Sequence, residues 1–139
     1  AEKIAKKYGK AIILIGLSPK EDGIRYCREH TRTMAHDLSG KLSLRLLAEL
    51  CRMSDLLISN DSGPVHVASA CGTSVISIFG RNDPGLSPKR WKPLGDRAIV
   101  LYKRQKHTPC RADACAHEFA CLEAVTIEDV FSAAEKLIG

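Results

Sequence analysis

Apolar residues come in two rhythms along this chain: short unbroken runs, and stripes spaced three to four residues apart. Residues 11–15 (Ala-Ile-Ile-Leu-Ile) form a wholly apolar run, as expected of a strand buried on both faces. Residues 55–59 and the buried run 74–79 read as further strands around apolar cores, and residues 98–102 as the last. Between them lie helical stripes. Ile4, Ala5 and Tyr8 share a face that stops at Gly9, a natural C-terminal cap. Residues 20–30 can form a second helix, and an extended piece at 34–38 follows. Ser43 is placed to cap a helix over 44–53, with Leu44, Leu47, Ala48 and Cys51 on one side. Pro64 suits the first position of a helix running to Ala70. Thr126, with Asp129 three residues later, predicts the start of a last amphipathic helix ending at Ile138. Strand and helix alternating on this scale predict an α/β fold, a parallel sheet with helices on both faces. No internal repeat or low-complexity linker interrupts the 139 residues, so one domain is expected.

Composition fits a globular protein, with 45% hydrophobic and 27% charged residues. No apolar run approaches the roughly 20 residues needed to span a bilayer. The chain opens at Ala1 without an initiator Met and reads as a helix already under way, which suggests a piece of a longer protein, a processed N-terminus being the alternative. A net charge of +5 favours anionic partners: nucleotide phosphates, acidic lipid headgroups or nucleic acid. Basic residues concentrate at 89, 90, 92, 97, 103, 104 and 106, where Asp96 is the sole acid. A solvated basic face accounts for such a run equally well. Nucleic acid is not expected as a partner, because aromatics are only 5% and no interleaved stacking pattern is present.

In parallel sheets ligands bind at the carboxyl ends of strands, where loops meet helix N-termini. The segment from residue 55 to residue 70 has that form, with Asn60, Asp61, Ser62 and Gly63 as its loop. Small polar residues and a glycine let the backbone approach an anion, and first-turn amides point at it. The helix dipole adds roughly 0.3–1 kcal/mol for a negative charge there. Counting Gly63 as the cap, His66 lies three positions in, where its ring can donate to a phosphate oxygen. On these residues alone a structural turn is the favoured reading. A lone helical histidine is likewise more often packed than functional.

The wider pattern shifts that balance. Residues 59–73, Ser-Asn-Asp-Ser-Gly-Pro-Val-His-Val-Ala-Ser-Ala-Cys-Gly-Thr, resemble the signature of glycosyltransferase family 9, the heptosyltransferases. Their continuation through Val75-Ile76-Ser77-Ile78-Phe79-Gly80 and Asp83-Pro84 is similar too, as is the upstream segment from Ser39 to Leu44. The late Pro109-Cys110, Cys115, Cys121-Leu122 and Val125-Thr126-Ile127 resemble members that transfer the second heptose. The resemblance covers nearly the whole chain in the right order. It implies a GT-B enzyme, two Rossmann-like domains facing across a cleft, with residues 1–139 as the C-terminal, sugar-nucleotide-binding half. The donor would be ADP-heptose. The absent N-terminal domain would receive the inner core of lipopolysaccharide and supply the catalytic base, leaving this piece inactive alone. Transfer would invert the anomeric centre without metal or cofactor, and no Asp-X-Asp motif is present. The implied setting is cytoplasmic, with peripheral contact at the inner membrane.

Carried over residue by residue, the resemblance implies a binding set of Asp61, Ser62, Gly63 and His66. Ser62, Gly63 and the next free amides would contact pyrophosphate, and His66 would be catalytic by stabilising the leaving diphosphate. Asp61, which a pyrophosphate would repel, is assigned to loop amides or donor-sugar hydroxyls. Leu42 resembles the position lying against adenine. Glu21 resembles the acid that accepts from the ribose hydroxyls, with Asp22 an equal rival. Where the family commonly has Gly-Pro-Thr, this chain has Gly80-Arg81-Asn82, and Cys71 and Ser74 replace a usual Leu and Pro. Arg81 either faces the pyrophosphate or is solvated, the second being preferred. The resemblance leaves two alternatives: another GT-B glycosyltransferase using a UDP- or GDP-sugar, and a non-catalytic anion-binding domain.

Six cysteines in such a domain are not a disulfide framework, and Cys27, Cys51 and Cys71 fall in or beside helices, where buried thiols are common. Cys110, Cys115 and Cys121 lack the tight pairs of structural zinc, although His107 and His117 stand nearby. Packed or adventitiously oxidised thiols are the preferred reading over a metal site.

Overall fold

The computed structural model describes residues 1–81, 83, 85–103, 115 and 117–139. Asn82, Pro84, Arg104, Lys106, His107, Pro109 and Cys110 therefore lie outside the described residues. The chain divides into two compact units, 1–47 and 48–139.

The first unit begins with α1 (Glu2–Tyr8), closed by Gly9 at φ +62°, a conformation that glycine adopts without strain. Strand β1 (Ile12–Leu14) pairs in parallel with β2 (Ala35–Asp37), joined through α2 (Asp22–His30). Ile4, Ala5 and Ile12 are its buried apolar residues. The expectation of a first strand buried on both faces fails here. Ile13 is exposed and Leu14 half-buried, because a two-stranded sheet with a helix of no buried residues cannot cover both sides. Cys27, on that helix, is likewise exposed rather than packed. Glu2 holds the turn before β2, accepting from the backbone N–H groups of Arg32 and Thr33, and these bonds lower its carboxyl pKa.

Helix α3 (Leu44–Met53) spans the boundary between the units. Ser43 caps it as expected, its Oγ accepting from Leu46 N at 3.3 Å. Of the predicted apolar face, Cys51 is buried, Leu47 and Ala48 are half-buried, and Leu44 stays exposed in the first turn.

The second unit is built on a three-stranded parallel sheet, β3 (Leu56–Asn60), β4 (Ser74–Phe79) and β5 (Ala98–Tyr102), in that order. The central strand carries the core: Val75, Ile76 and Phe79 are buried, as are Ser74 and Ser77. Helix α4 (Gly63–Ala70) packs on β3 and β4 through Val65 and Ala68, both fully buried. Helix α7 (Ile127–Ile138) packs on all three strands, with Ala133 and Ala134 buried. Thr126 and Asp129 form the anticipated capping box, Thr126 Oγ1 accepting from Asp129 N at 3.1 Å. Lys103 Nζ reaches Asp129 at 2.9 Å, and this contact, with the Thr126 N–H, holds the Asp129 carboxyl down at about 2.

Two short helices had no signal in the apolar periodicity: α5 (Pro88–Trp91) and α6 (Ala120–Glu123). At four residues each, neither is long enough to show a stripe. The architecture is the α/β one expected, with every paired strand parallel, but the strands fall into two sheets.

Candidate functional site

Each group of anticipated site residues occupies the carboxyl end of a parallel sheet. In the second unit the loop 60–63 leaves β3 and enters α4. The sheet ladder continues one residue into it, Asp61 N donating to Ile78 O at 3.1 Å. Ser59 Oγ and Ser62 Oγ share a hydrogen bond of 2.9 Å across the turn. The backbone of the loop is thereby pinned while the Asp61 side chain stays exposed, with no hydrogen bond shown among the described residues.

Ser62, not Gly63, is the N-cap, so Gly63 is the first helical residue and Pro64 the second. The one-residue difference from the sequence expectation reflects how little distinguishes a cap glycine from a first-turn glycine in sequence. Proline is tolerated at either place, since its missing N–H would have no partner in the first turn. The Ser62 side chain makes no capping bond. With Oγ engaged by Ser59, the Gly63 amide has no intrahelical carbonyl to meet and faces out of the helix end. Gly63 is exposed, and a Cβ there would meet nothing within 4 Å. His66 is one position further in than expected, still above the first turn. It is exposed rather than packed into the core. Its ring makes one close aromatic contact, with Trp91, at 6.3 Å between centroids and an interplanar angle of 64°.

The other strand ends complete this edge. Gly80 follows β4, where a Cβ would come within 2.9 Å of Leu122 Cδ2 and 3.1 Å of Cys121 Sγ. Glycine is required there by the close approach of α6, and the Cys121 thiol is packed against it. Arg81, next along, is half-buried, short of the full solvation preferred for it. Cys115 Sγ accepts from Phe119 N at 3.4 Å. Among the described residues no group of three or more His, Cys, Asp or Glu is arranged to hold a metal. Cys51 and Cys71 lie toward the opposite end of this sheet. Cys71 Sγ contacts Ala48 O at 3.5 Å, and burial, aided by Cys71, pushes the Cys51 thiol pKa upward.

Glu21 and Leu42 sit in the first unit, beyond β1 and β2. The two strand-end loops are tied by Leu38 N to Leu14 O and Gly40 N to Gly16 O, each 2.9 Å. Gly40 is at φ +71°, and a Cβ on it would press on Leu17 O and Pro19 Cδ at 3.3 Å. Glu21 folds back over this turn, its Oε1 accepting from Ser18 N at 2.9 Å and its Oε2 lying over Gly16. Asp22, its rival in sequence, instead pairs with Arg25 at 2.8 Å on the helix surface. Leu42 is half-buried in the stretch after Gly40. Asp37, on β2, is held below its usual pKa, chiefly by the Ser39 N–H.

Glycosyltransferase family 9 (heptosyltransferase) matches residues 2–120. The chain belongs to this family. Lipooligosaccharide heptosyltransferase 2 of Haemophilus influenzae is 30% identical over 97 residues, covering 67% of this chain and 27% of that protein. Lipopolysaccharide heptosyltransferase 3 of Escherichia coli is 30% identical over 102 residues, covering 73% of the chain and 28% of the relative. The crystal structure of a family 9 glycosyltransferase from Veillonella parvula superposes with a TM-score of 0.76 at 26% identity, over 97% of this chain and 39% of that one. The family 9 chain therefore spans well under half the length of the proteins it matches.

Proposed function

We propose that this family 9 chain binds ADP-heptose as the donor for heptosyl transfer to the inner core of lipopolysaccharide. The observation that carries the reading is the exposed, pinned loop 60–63 opening α4, with His66 exposed one turn above it. The Ser62 and Gly63 amides bind the diphosphate, whose negative charge the helix N-terminus favours, while Pro64 has no N–H and Val65 N donates to Ser62 O. As the glycosidic bond to the donor breaks, charge grows on the leaving ADP. His66, one turn above the loop, donates from its ring to stabilise that charge. Asp61, exposed and unable to sit against phosphate, takes donor-sugar hydroxyls. Glu21 accepts from the ribose, and Leu42 supplies apolar contact for adenine. The base that activates the acceptor hydroxyl, and the acceptor site, we assign to the part of the longer relatives that this chain does not span. We place the reaction in the cytoplasm, at the inner face of the membrane that carries the acceptor.

Calorimetric titration with ADP, UDP, GDP and AMP tests this reading. ADP should bind more tightly than UDP or GDP, and AMP should bind more weakly, lacking the second phosphate. His66→Ala should weaken ADP by about 10- to 100-fold, the worth of one charge-assisted hydrogen bond, without lowering the melting temperature of free protein. A preference for UDP or GDP would move the chain to another donor class. Binding without nucleotide preference that collapses steeply with salt would leave only a basic anion-binding face.

A further inference from the structure

We propose that Trp91 is the positioning residue for His66, holding the imidazole in the orientation that presents its outer nitrogen to the diphosphate. The inference rests on the anion-site reading above and adds to it a residue from a different part of the chain.

Trp91 is the chain's single tryptophan, and it ends the short α5 in the connection between β4 and β5. That connection folds tightly on itself. Leu86 N donates to Asp83 O at 2.9 Å, and Gly85 turns the backbone at φ +83°. Ser87 caps α5 from a buried position, its carbonyl accepting from the N–H groups of Arg90 and Trp91 at 3.0 Å. The indole closes the loop, Nε1 donating to Gly85 O at 2.7 Å. The Arg90 guanidinium lies 5.5 Å from the Trp91 ring centroid, a cation–π contact. The ring is thus fixed by a hydrogen bond and a stacked cation, yet 41% of the residue remains exposed. Tryptophan is highly buried on average, and Trp91 is less so. This one instead turns its edge-to-face contact on His66.

The physical need for such a contact follows from the histidine's exposure. An exposed imidazole has several χ1 wells and a broad, roughly two-fold χ2. Only some of these states direct a ring nitrogen to an anion at the helix end. Restricting them before the ligand arrives removes an ordering cost that would otherwise be met on binding. Such costs run to about 0.5–1.5 kcal/mol per side chain, or about 2- to 12-fold in affinity.

The experiment measures ADP and AMP binding to wild type, His66→Ala, Trp91→Ala and Trp91→Phe, with the emission of Trp91 recorded in wild type and His66→Ala. Trp91→Ala should lose about 3- to 10-fold in ADP affinity and leave AMP nearly unchanged. Trp91→Phe should recover most of the loss, since a ring edge still meets His66. ADP should change Trp91 emission in wild type and much less in His66→Ala, a readout that does not depend on how any Trp91 variant folds. If His66→Ala loses the ADP preference while Trp91→Ala keeps it, the positioning role is overturned and the anion site stands. If wild type has no preference for ADP over AMP, or His66→Ala retains it, the anion site itself fails and the positioning role falls with it. Emission that responds equally to ADP with and without His66 would also overturn the coupling.

Discussion

The two units place their strand-end loops on foundations of different quality. In the second, the loop 60–63 leaves a strand paired along its length with β4, and the helix after it buries Val65 and Ala68 completely. In the first, the loops bearing Glu21 and Leu42 rest on three-residue strands, and α2 buries nothing. A diphosphate needs fixed amides, because hydrogen bonds to charge weaken steeply with distance and angle. A ribose and an adenine tolerate more give, through long side chains and apolar contact. Under the proposed donor reading, the pinned loop 60–63 would serve the phosphates and the looser loops of the first unit the nucleoside.

The largest expected effect tests the rigid side. Phe79→Ala, at the buried end of β4, should cost about 3–5 kcal/mol in urea unfolding and abolish ADP binding. Ile12→Ala, in the first unit, should cost about 2 kcal/mol, the low end for such a truncation. Equal costs would erase the contrast between the units. Native-state hydrogen exchange should agree, with β4 amides among the slowest and those of β1 faster.

Next in size is the capping box that anchors α7 on the larger sheet. Thr126→Ala removes the acceptor for Asp129 N and should lower stability by about 1 kcal/mol. Circular dichroism melts would read it, and a loss confined to the first unit would contradict the packing of α7 on β3, β4 and β5.

Acid pH probes the same corner more gently. The Asp129 carboxyl titrates at about 2 in the folded chain against an ordinary 3.8, chiefly through Lys103 and then the Thr126 N–H. A lowered folded value means the unfolded chain takes up the proton first. Its contribution is therefore complete above about pH 4 and is lost as the pH falls toward about 2. Asp129→Asn should flatten that part of the stability–pH curve, and an unchanged slope would assign the acid loss to other carboxylates.

The smallest effect sharpens the looser side. Glu21→Gln should weaken ADP about 2- to 10-fold, as expected of one hydrogen bond. Asp22→Asn should leave it unchanged, because Asp22 is occupied with Arg25. The reverse order would exchange the two acids.

By itself the sequence determined the elements and the order in which they come. The runs at 74–79 and 98–102 are strands with those bounds, and 44–53 and 127–138 are helices with those bounds. Strand and helix periods differ, and caps such as Ser43 and Thr126 act locally, so both are written in neighbouring residues. The loop 60–63 before α4 was legible for the same reason. Tertiary structure decided the rest. Whether an apolar run is covered depends on what packs against it, so β4 is buried while Ile13 on β1 is exposed. Which of two adjacent acids turns toward the strand-end loop depends on Ser18 and Gly16 for Glu21 and on Arg25 for Asp22. Trp91 and His66 stand 25 positions apart in sequence with no periodic relation. Only the fold of the β4–β5 connection brings their rings together, because that contact is long-range and leaves no local trace.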